Sequence, residues 1–487
     1  MTKESLENII ASCTDILRTD DGISGSVHYT EVLSWILFLK FLNDKEKELA
    51  LEAEMNFEEY DYLLEEKYRW DNWAISKDLT GDDLINFVNN DLIPYLASLK
   101  GEHEKDRREV ISAIFKEVTN RVHSGYLLKD VLLKVNQIEF NSSDDIFTMS
   151  HLYESLLQKM GDDGGNSGEF YTPRPVVRFM VEMIDPQIGK TVYDPACGTC
   201  GFLVESYEHM KKQADTPEKV KILAEKTFYG QEKTPLAYLL GLMNMLLHGI
   251  DYPQIRKTNT LNQNIREIDE SQKYDYILAN PPFGGKEQKI IQKNFPVEAQ
   301  ATELLFLQYI MKTLKFDGKA GVVLPEGVLF RTNGAYKAVK EELLQKFNVH
   351  TIVSLPAGVF LPYSAVKTSI IFFDRTTPTK DIWFYEVPLI DGKRLTKNNG
   401  ISKEHFEEAR KLFKERPNTE NSWLVPVEEV IKNEYNLSAA KYNPNKVEEE
   451  ELLDPEEYAE EIYELLMSAT KEIERLMDLT AGAGIDE

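Results

Sequence analysis

Apolar residues recur at helical spacing through the first third of the chain. Residues 31–47, 83–99, 109–122 and 146–160 each gather them on one face, which predicts helices. The most apolar run, VLSWILFLKFL at 32–42, contains Ser34 and Lys40. It is too short to span a bilayer and reads as a buried helix. Trp70 and Trp73 fall in a more irregular stretch. GDDGGNSGEF at 161–170 reads as a flexible loop, either a linker or a segment that orders on ligand binding. From Val176 the pattern changes to short apolar runs between helical ones. Strands are predicted at 191–193, 227–229, 274–279, 321–324, 351–355 and 369–373, with helices at 235–247 and 302–314. This alternation argues an α/β fold with a parallel, doubly wound sheet.

The end of the chain is different again. Asp454 and Pro455 suit an N-cap and first helical position. Tyr458, Ile462, Leu465, Ala469, Ile473 and Leu476 then recur at steps of four or three. They form a seam for another helix or for the chain's own domain. Three parts follow: a helical domain at 1–155, an α/β domain at 156–440, and a helical partner-binding tail at 441–487.

Charge sharpens the picture. The 487 residues carry 56 Lys and Arg against 82 Asp and Glu, a net charge of -26. A chain that grips nucleic acid unaided usually has the opposite sign. If this one works on nucleic acid, its cations are locally focused or a partner supplies the grip. No signal pattern opens MTKESLENII, so a cytoplasmic, non-membrane protein is expected. Three cysteines, Cys13, Cys197 and Cys200, make no disulfide framework.

The candidate chemistry begins at DPACGTCGF, residues 194–202. It lacks the lysine of a phosphate-binding loop and the third glycine of a dinucleotide fingerprint. Cys197-x-x-Cys200 matches a redox pair or half a zinc site by letters, but zinc needs two further ligands. A strand ending in an acid, a turn of small residues (Gly198, Thr199, Cys200, Gly201) and a helix fit better. Small residues allow a ligand close to the backbone, and Asp194 can accept from a cationic amine. A ligand with an ammonium and a sulfonium, such as S-adenosylmethionine, suits that turn. The next strand ends in Glu232, placed to bind a ribose through both hydroxyls. A third strand ends in Asn280-Pro281-Pro282-Phe283. The prolines stiffen the backbone and cannot donate, leaving the Asn280 amide and the Pro281 carbonyl as fixed acceptors for an exocyclic amine. Phe283 offers a face on which a flipped-out base can stack.

With these motifs in this order, the sequence resembles the gamma group of N6-adenine DNA methyltransferases. More closely it resembles the modification subunit of type I restriction–modification systems. The resemblance covers nearly the whole chain and rests on GEFYTPRPVVRFMVEMI, DPACGTCGF, GQE, GLMNMLLHGI, NPPF, AGVVLPEGVLF and SLPAGVFLPYSAVKTSIIFF. It implies a Rossmann-like methyltransferase domain with an α-helical N-terminal domain and a C-terminal helix. It implies that Glu169, Phe170, Tyr171, Thr172, Pro173 and Arg174 close over the methionine end of S-adenosylmethionine. Gly198, Thr199, Cys200 and Gly201 would line the cofactor, Asp194 would face its amine, and Glu232 would take its ribose. Asn280, Pro281, Pro282 and Phe283 would hold the adenine. The family usually has glycine where this chain has Cys200, and the turn is expected to tolerate so small a side chain. A specificity subunit would read the DNA, a motor–nuclease restriction subunit could join, and two copies of this chain per complex are expected.

The residues leave other readings open. The NPP core serves planar amines generally, so cytosine N4 and a protein glutamine are alternative acceptors. A catalytically silent assembly subunit is a second alternative, against which the intact Asp194, Glu232 and NPPF speak. No GxxxxGK[ST] or HExxH occurs, so ATP-driven motion would belong to another chain and no catalytic metal is expected.

Overall fold

The computed structural model describes residues 3–101, 106–140, 172–250, 252–361, 364–396 and 399–445. The expected helix at 146–160, the loop at 161–170 and the seam beyond 454 lie outside these residues. The described residues up to Tyr442 form one compact unit. None of its helices is long and apolar enough to cross a membrane.

The N-terminal part is helical. Lys3–Leu17 and Ser26–Met55 lead, the second starting after Gly25 at φ 82°. Val32, Leu33, Trp35, Ile36, Leu37 and Phe38 are all buried, so this helix is surrounded rather than one-sided. The stretch expected at 83–99 is helical from Gly81 to Ser98 but passes through a π turn at Val88–Leu92. Pro94 has no N–H for the carbonyl one turn back, and the ladder widens there. The helix expected at 109–122 is shorter, Arg107–Phe115. Beyond it Asn120 Oδ1 accepts from the Val122 amide at 3.1 Å, a local turn that competes with helix among β-branched residues. Trp70 and Trp73 sit in a short helix of their own, both buried.

The remainder is one nine-stranded sheet: β1 Val192–Asp194, β2 Phe228–Glu232, β3 Gln254–Lys257, β4 Tyr274–Ala279, β5 Leu314–Pro325, β6 Asn348–Ser354, β7 Thr368–Asp374, β8 Asp381–Glu386 and β9 Ser422–Pro426. Their order is β3-β2-β1-β4-β5-β7-β6-β8-β9. The six expected strands all form. The sheet is not wholly parallel, because β7 runs antiparallel to β5 and β6, and β9 to β8. The 355–367 connection between β6 and β7 has no helix among its described residues, and a parallel neighbour would need a crossover. The sequence pattern passed over β3, β8 and β9. β3 and β9 are edge strands, and β3 has a single apolar residue, Ile255.

Seven strands, β1 to β6 and β8, end on the same edge of the sheet. In such sheets ligands bind outside the carboxyl ends of the strands. The helix Pro235–Leu247 covers the sheet behind that edge and packs against both Ser26–Met55 and Arg107–Phe115. Polar contacts join the helical part to the sheet among the described residues. The Tyr252 hydroxyl donates to Glu109 Oε2 at 3.1 Å, and Lys257 pairs with Glu117.

One buried carboxylate ties the first helices together. Asp20 Oδ1 accepts from the Gly22 and His123 amides, and Oδ2 from the Ser124 amide at 2.8 Å. Burial works against its ionisation, but these donors hold it below the usual carboxylate range. A depressed folded pKa stabilises above the unfolded value, about pH 4, and that stability is lost as pH falls further. Asp20→Ala strands three amides and is expected to lower unfolding stability by about 2 kcal/mol or more. Urea unfolding near pH 7 measures this. The gap between variant and wild type should narrow below about pH 4.

Candidate functional site

The turn after β1 is built from backbone hydrogen bonds. Asp194 ends the strand buried, and its Oδ1 accepts from the Ala196 amide at 3.0 Å. The Cys197 amide donates to the Gln231 carbonyl of β2 at 3.0 Å, and the Gly198 amide to Glu232 Oε2 at 3.0 Å. The Cys200 amide closes the turn onto the Cys197 carbonyl at 2.6 Å. Gly198 has φ 50° and Cys200 φ 62°, both left-handed. Glycine adopts that conformation freely, whereas a side chain there costs about 1 kcal/mol. The conformation favours glycine, the residue the sequence resemblance leads one to expect here. The turn nevertheless forms with cysteine, and helix Gly201–Lys211 starts from it.

Room for the two thiols comes from glycines elsewhere. A Cβ on Gly241 would lie 2.8 Å from Cys200 Sγ and 2.9 Å from the Gly198 carbonyl oxygen. A Cβ on Gly230 would lie 3.0 Å from Cys197 Sγ. One helical turn beyond Gly241, Asn244 Nδ2 donates to the Thr199 carbonyl at 2.8 Å. The motif GLMNMLLHGI therefore fixes the turn through Gly241 and Asn244, neither of which the sequence reading assigned to the site. An asparagine within so apolar a helix was the available signal. All three cysteines are free and buried. The Cys200 thiol beside it, and then burial, push the Cys197 thiol well above its ordinary pKa, which disfavours the reactive thiolate. Among the described residues the cluster able to hold a metal is Asp20, Asp21 and His123, on the helical part, so the Cys pair gains no third ligand there.

Glu232 ends β2 buried, with both carboxylate oxygens in use. Oε2 takes the Gly198 amide and Oε1 the Thr234 amide at 2.7 Å. Each oxygen keeps a further lone pair. Asp194 is placed differently. Among the described residues its one hydrogen bond is from Ala196. Burial pushes its carboxyl up to about 8, against the Ala196 amide and helped by Glu232. A buried acid without a counter-cation suits a cationic ligand. Between the tips of β2, β3 and β4 lies a cleft of about 490 Å³, counting space open to solvent. Pro195, Glu232, Thr258, Asn259, Asn280 and Phe306 are among its walls. The sequence reading missed its β3 side, where the Thr260 hydroxyl donates to the Pro195 carbonyl and so braces the turn from below.

Asn280 follows β4 directly. Its Nδ2 donates to Thr172 Oγ1 at 3.0 Å, while Oδ1 is buried with no partner among the described residues. Pro281 is buried and Pro282 half-buried. Phe283 meets the edge of Phe360, with ring centroids 5.8 Å apart. The turn is then held from α/β residues further on. The Gly284 amide, at φ 70°, donates to Glu303 Oε1 at 2.6 Å, and the Thr302 amide to the Gly285 carbonyl at 3.0 Å. Glu303 is a further residue the sequence reading did not assign. A free acceptor beside a proline-stiffened carbonyl can take both N–H groups of a planar amine.

The segment expected over the cofactor is described from Thr172 onward; Glu169, Phe170 and Tyr171 lie outside the described residues. Thr172 contacts Asn280. Pro173 is buried and precedes helix Arg174–Ile184. Arg174 faces Glu205 on helix Gly201–Lys211 at 4.0 Å. The structure thus brings Thr172, Asp194, Gly198 to Gly201, Glu232 and Asn280 to Phe283 onto one sheet edge.

Comparison with known proteins identifies the family and the fold. The family model for N-6 DNA methylases matches residues 142–451, and that for the HsdM N-terminal domain matches 6–135. The EcoEI type I restriction enzyme methylase subunit of Escherichia coli is 42% identical over 447 residues, 89% of each chain. A crystal structure of a modification subunit from Vibrio vulnificus YJ016 superposes with a TM-score of 0.85 at 43% identity, covering 92% of this chain and 98% of that one. A chain solved in work on assembly and conformational transition of the type I restriction–modification system gives 0.81 at 48% identity, with full coverage of both. The fold is therefore that of the S-adenosylmethionine-dependent methyltransferases, preceded by the family's helical domain. The chain belongs to the N-6 DNA methylase family, as a methylase (modification) subunit of the type I restriction–modification kind.

Proposed function

We propose that this chain transfers a methyl group from S-adenosylmethionine to adenine N6 in DNA and so protects host DNA within a type I restriction–modification complex. The observation that carries the reading is the buried, unpartnered Asn280 Oδ1 beside the Pro281 carbonyl. Adenine N6 presents two N–H groups to these two acceptors. Accepting both directs the nitrogen lone pair away from the ring. A base in a duplex cannot reach this edge without leaving the stack, and Phe283 offers it a face.

The residues present fit the cofactor. Asp194 is a buried acid without a counter-cation among the described residues, Glu232 keeps lone pairs for ribose hydroxyls, and the small-residue turn at Gly198, Thr199, Cys200 and Gly201 is bonded to Glu232 through the Gly198 amide. Glu169 to Arg174 would close over the methionine end. S-adenosylmethionine supplies an electrophilic methyl on its sulfonium. The chain's own residues orient the amine and exclude water.

The acidic balance supports a division of labour. A specificity subunit reads the DNA, a motor–nuclease subunit joins for restriction, and two copies of this chain serve one cytoplasmic complex. Residues 1–155 act as a clamp around DNA, 156–440 as the catalytic domain, and 441–487 as a partner-binding tail.

The first test is methyl transfer from labelled S-adenosylmethionine to DNA, with and without a co-expressed specificity subunit, followed by nucleoside analysis. N6-methyladenine formed only with the partner is expected. Label in cytosine or in protein would move the substrate, and cofactor binding without any transfer would favour a silent assembly subunit. Asn280→Ala is expected to lower transfer by at least about 100-fold with cofactor affinity within a few-fold of wild type. Equal loss of both in a folded variant would refute the assignment. Asp194 gives a pH signature. Its raised folded pKa means the ligand-free fold binds an extra proton between about pH 4 and 8, so that contribution to stability falls as pH rises. A bound ammonium drives that proton off. Cofactor affinity should rise from pH 6 towards 8 with proton release, measured by calorimetry in buffers of different ionisation heat. Asp194→Asn should bind weakly and lose the slope.

A further inference from the structure

We propose that Thr172, just ahead of helix Arg174–Ile184, is the positioning residue that anchors the catalytic amide of Asn280. The inference rests on the role given to Asn280 above. A primary amide has two nearly isosteric orientations, related by a half-turn about its last torsion. Only one serves here. With Oδ1 towards the substrate it accepts from an amine. With the NH2 towards the substrate, two donors would meet and no acceptor would remain. A hydroxyl can accept from the NH2 or donate to Oδ1, so Thr172 fixes the place of the amide, and the bond from Nδ2 leaves Oδ1 for the substrate.

Among the described residues the side chain of Asn280 has one such partner. Its Nδ2 donates to Thr172 Oγ1 at 3.0 Å, and Oδ1 is left buried and unpaired. An unmet buried acceptor is unfavourable in the empty site, and an incoming N–H relieves it. Thr172 is well held for this task. Buried Pro173 follows, and its carbonyl accepts the Val176 and Val177 amides at the start of helix Arg174–Ile184. At the other end of the NPPF turn, Glu303 holds the Gly284 amide. The acceptor is therefore aimed from one side and its loop pinned from the other.

Thr172→Val keeps the shape and removes the acceptor, while Thr172→Ser keeps the hydroxyl. Both would be measured in the complete methylase complex, by single-turnover methyl transfer, cofactor dissociation constant and KM for DNA. Thr172→Val is expected to lower kcat about 10- to 100-fold, by more than any loss of cofactor affinity, with KM for DNA within about three-fold of wild type. Thr172→Ser is expected to restore kcat to within about three-fold. A wild-type kcat in Thr172→Val would overturn the proposal. So would a loss of cofactor affinity in proportion to kcat, or failure of the serine variant to restore transfer. If the wild-type complex labels cytosine N4 or a glutamine amide, the adenine reading fails but the valine-to-serine comparison still decides this proposal, since any planar amine meets the same acceptor. A wild-type complex that labels nothing overturns both.

Discussion

The hydrogen bond from the Gly198 amide to the Glu232 carboxylate joins the tips of β1 and β2, and the site is arranged around it. It draws a left-handed turn across the edge of the sheet and keeps Glu232 at the cleft. Turns of this kind expose backbone amides, which must be satisfied or left for a ligand. Here the neighbours satisfy them selectively. Gln231 takes the Cys197 amide, Asn244 supplies a donor to the Thr199 carbonyl, and Thr260 one to the Pro195 carbonyl. Asp194 is the group left without a cation.

The small residues have a packing reason as well as a conformational one. Gly241 and Gly230 stand where a methyl group would strike the turn or its thiols. Cys200 fills the space under Gly241 in a conformation that glycine holds at lower cost. Cysteine at 200 is thus a local exchange of backbone freedom for buried contact, and the thiols of Cys197 and Cys200 occupy the space that Gly230 and Gly241 leave.

The NPPF turn follows the same logic with different parts. Prolines stiffen it, Glu303 and Thr302 pin its far end, and Thr172 takes the amide. Three strand tips that are far apart in sequence are thereby held at one edge. The parallel arrangement of β1, β2 and β4 brings them there, since each strand ends on the same side.

Much was legible in the residues alone. Short apolar runs fixed six strands, and acid, glycine and proline at their ends marked Asp194, Glu232 and Asn280, because local chemistry decides what a strand tip can bind. Three strands were not legible. β3 and β9 lie at the edges, where pairing with one neighbour rather than an apolar pattern makes the strand, and β8 is a short run between loops. Nor could spacing reveal that helix 109–122 stops at Phe115, where side-chain turns outcompete the helix. The supporting groups Gly241, Asn244, Glu303 and Thr260 became visible only in three dimensions. Their roles depend on which carbonyl or amide lies across a gap, and that is set by packing of distant segments. The same holds for Thr172: the sequence places it beside a helix, but only the fold puts its hydroxyl against Asn280.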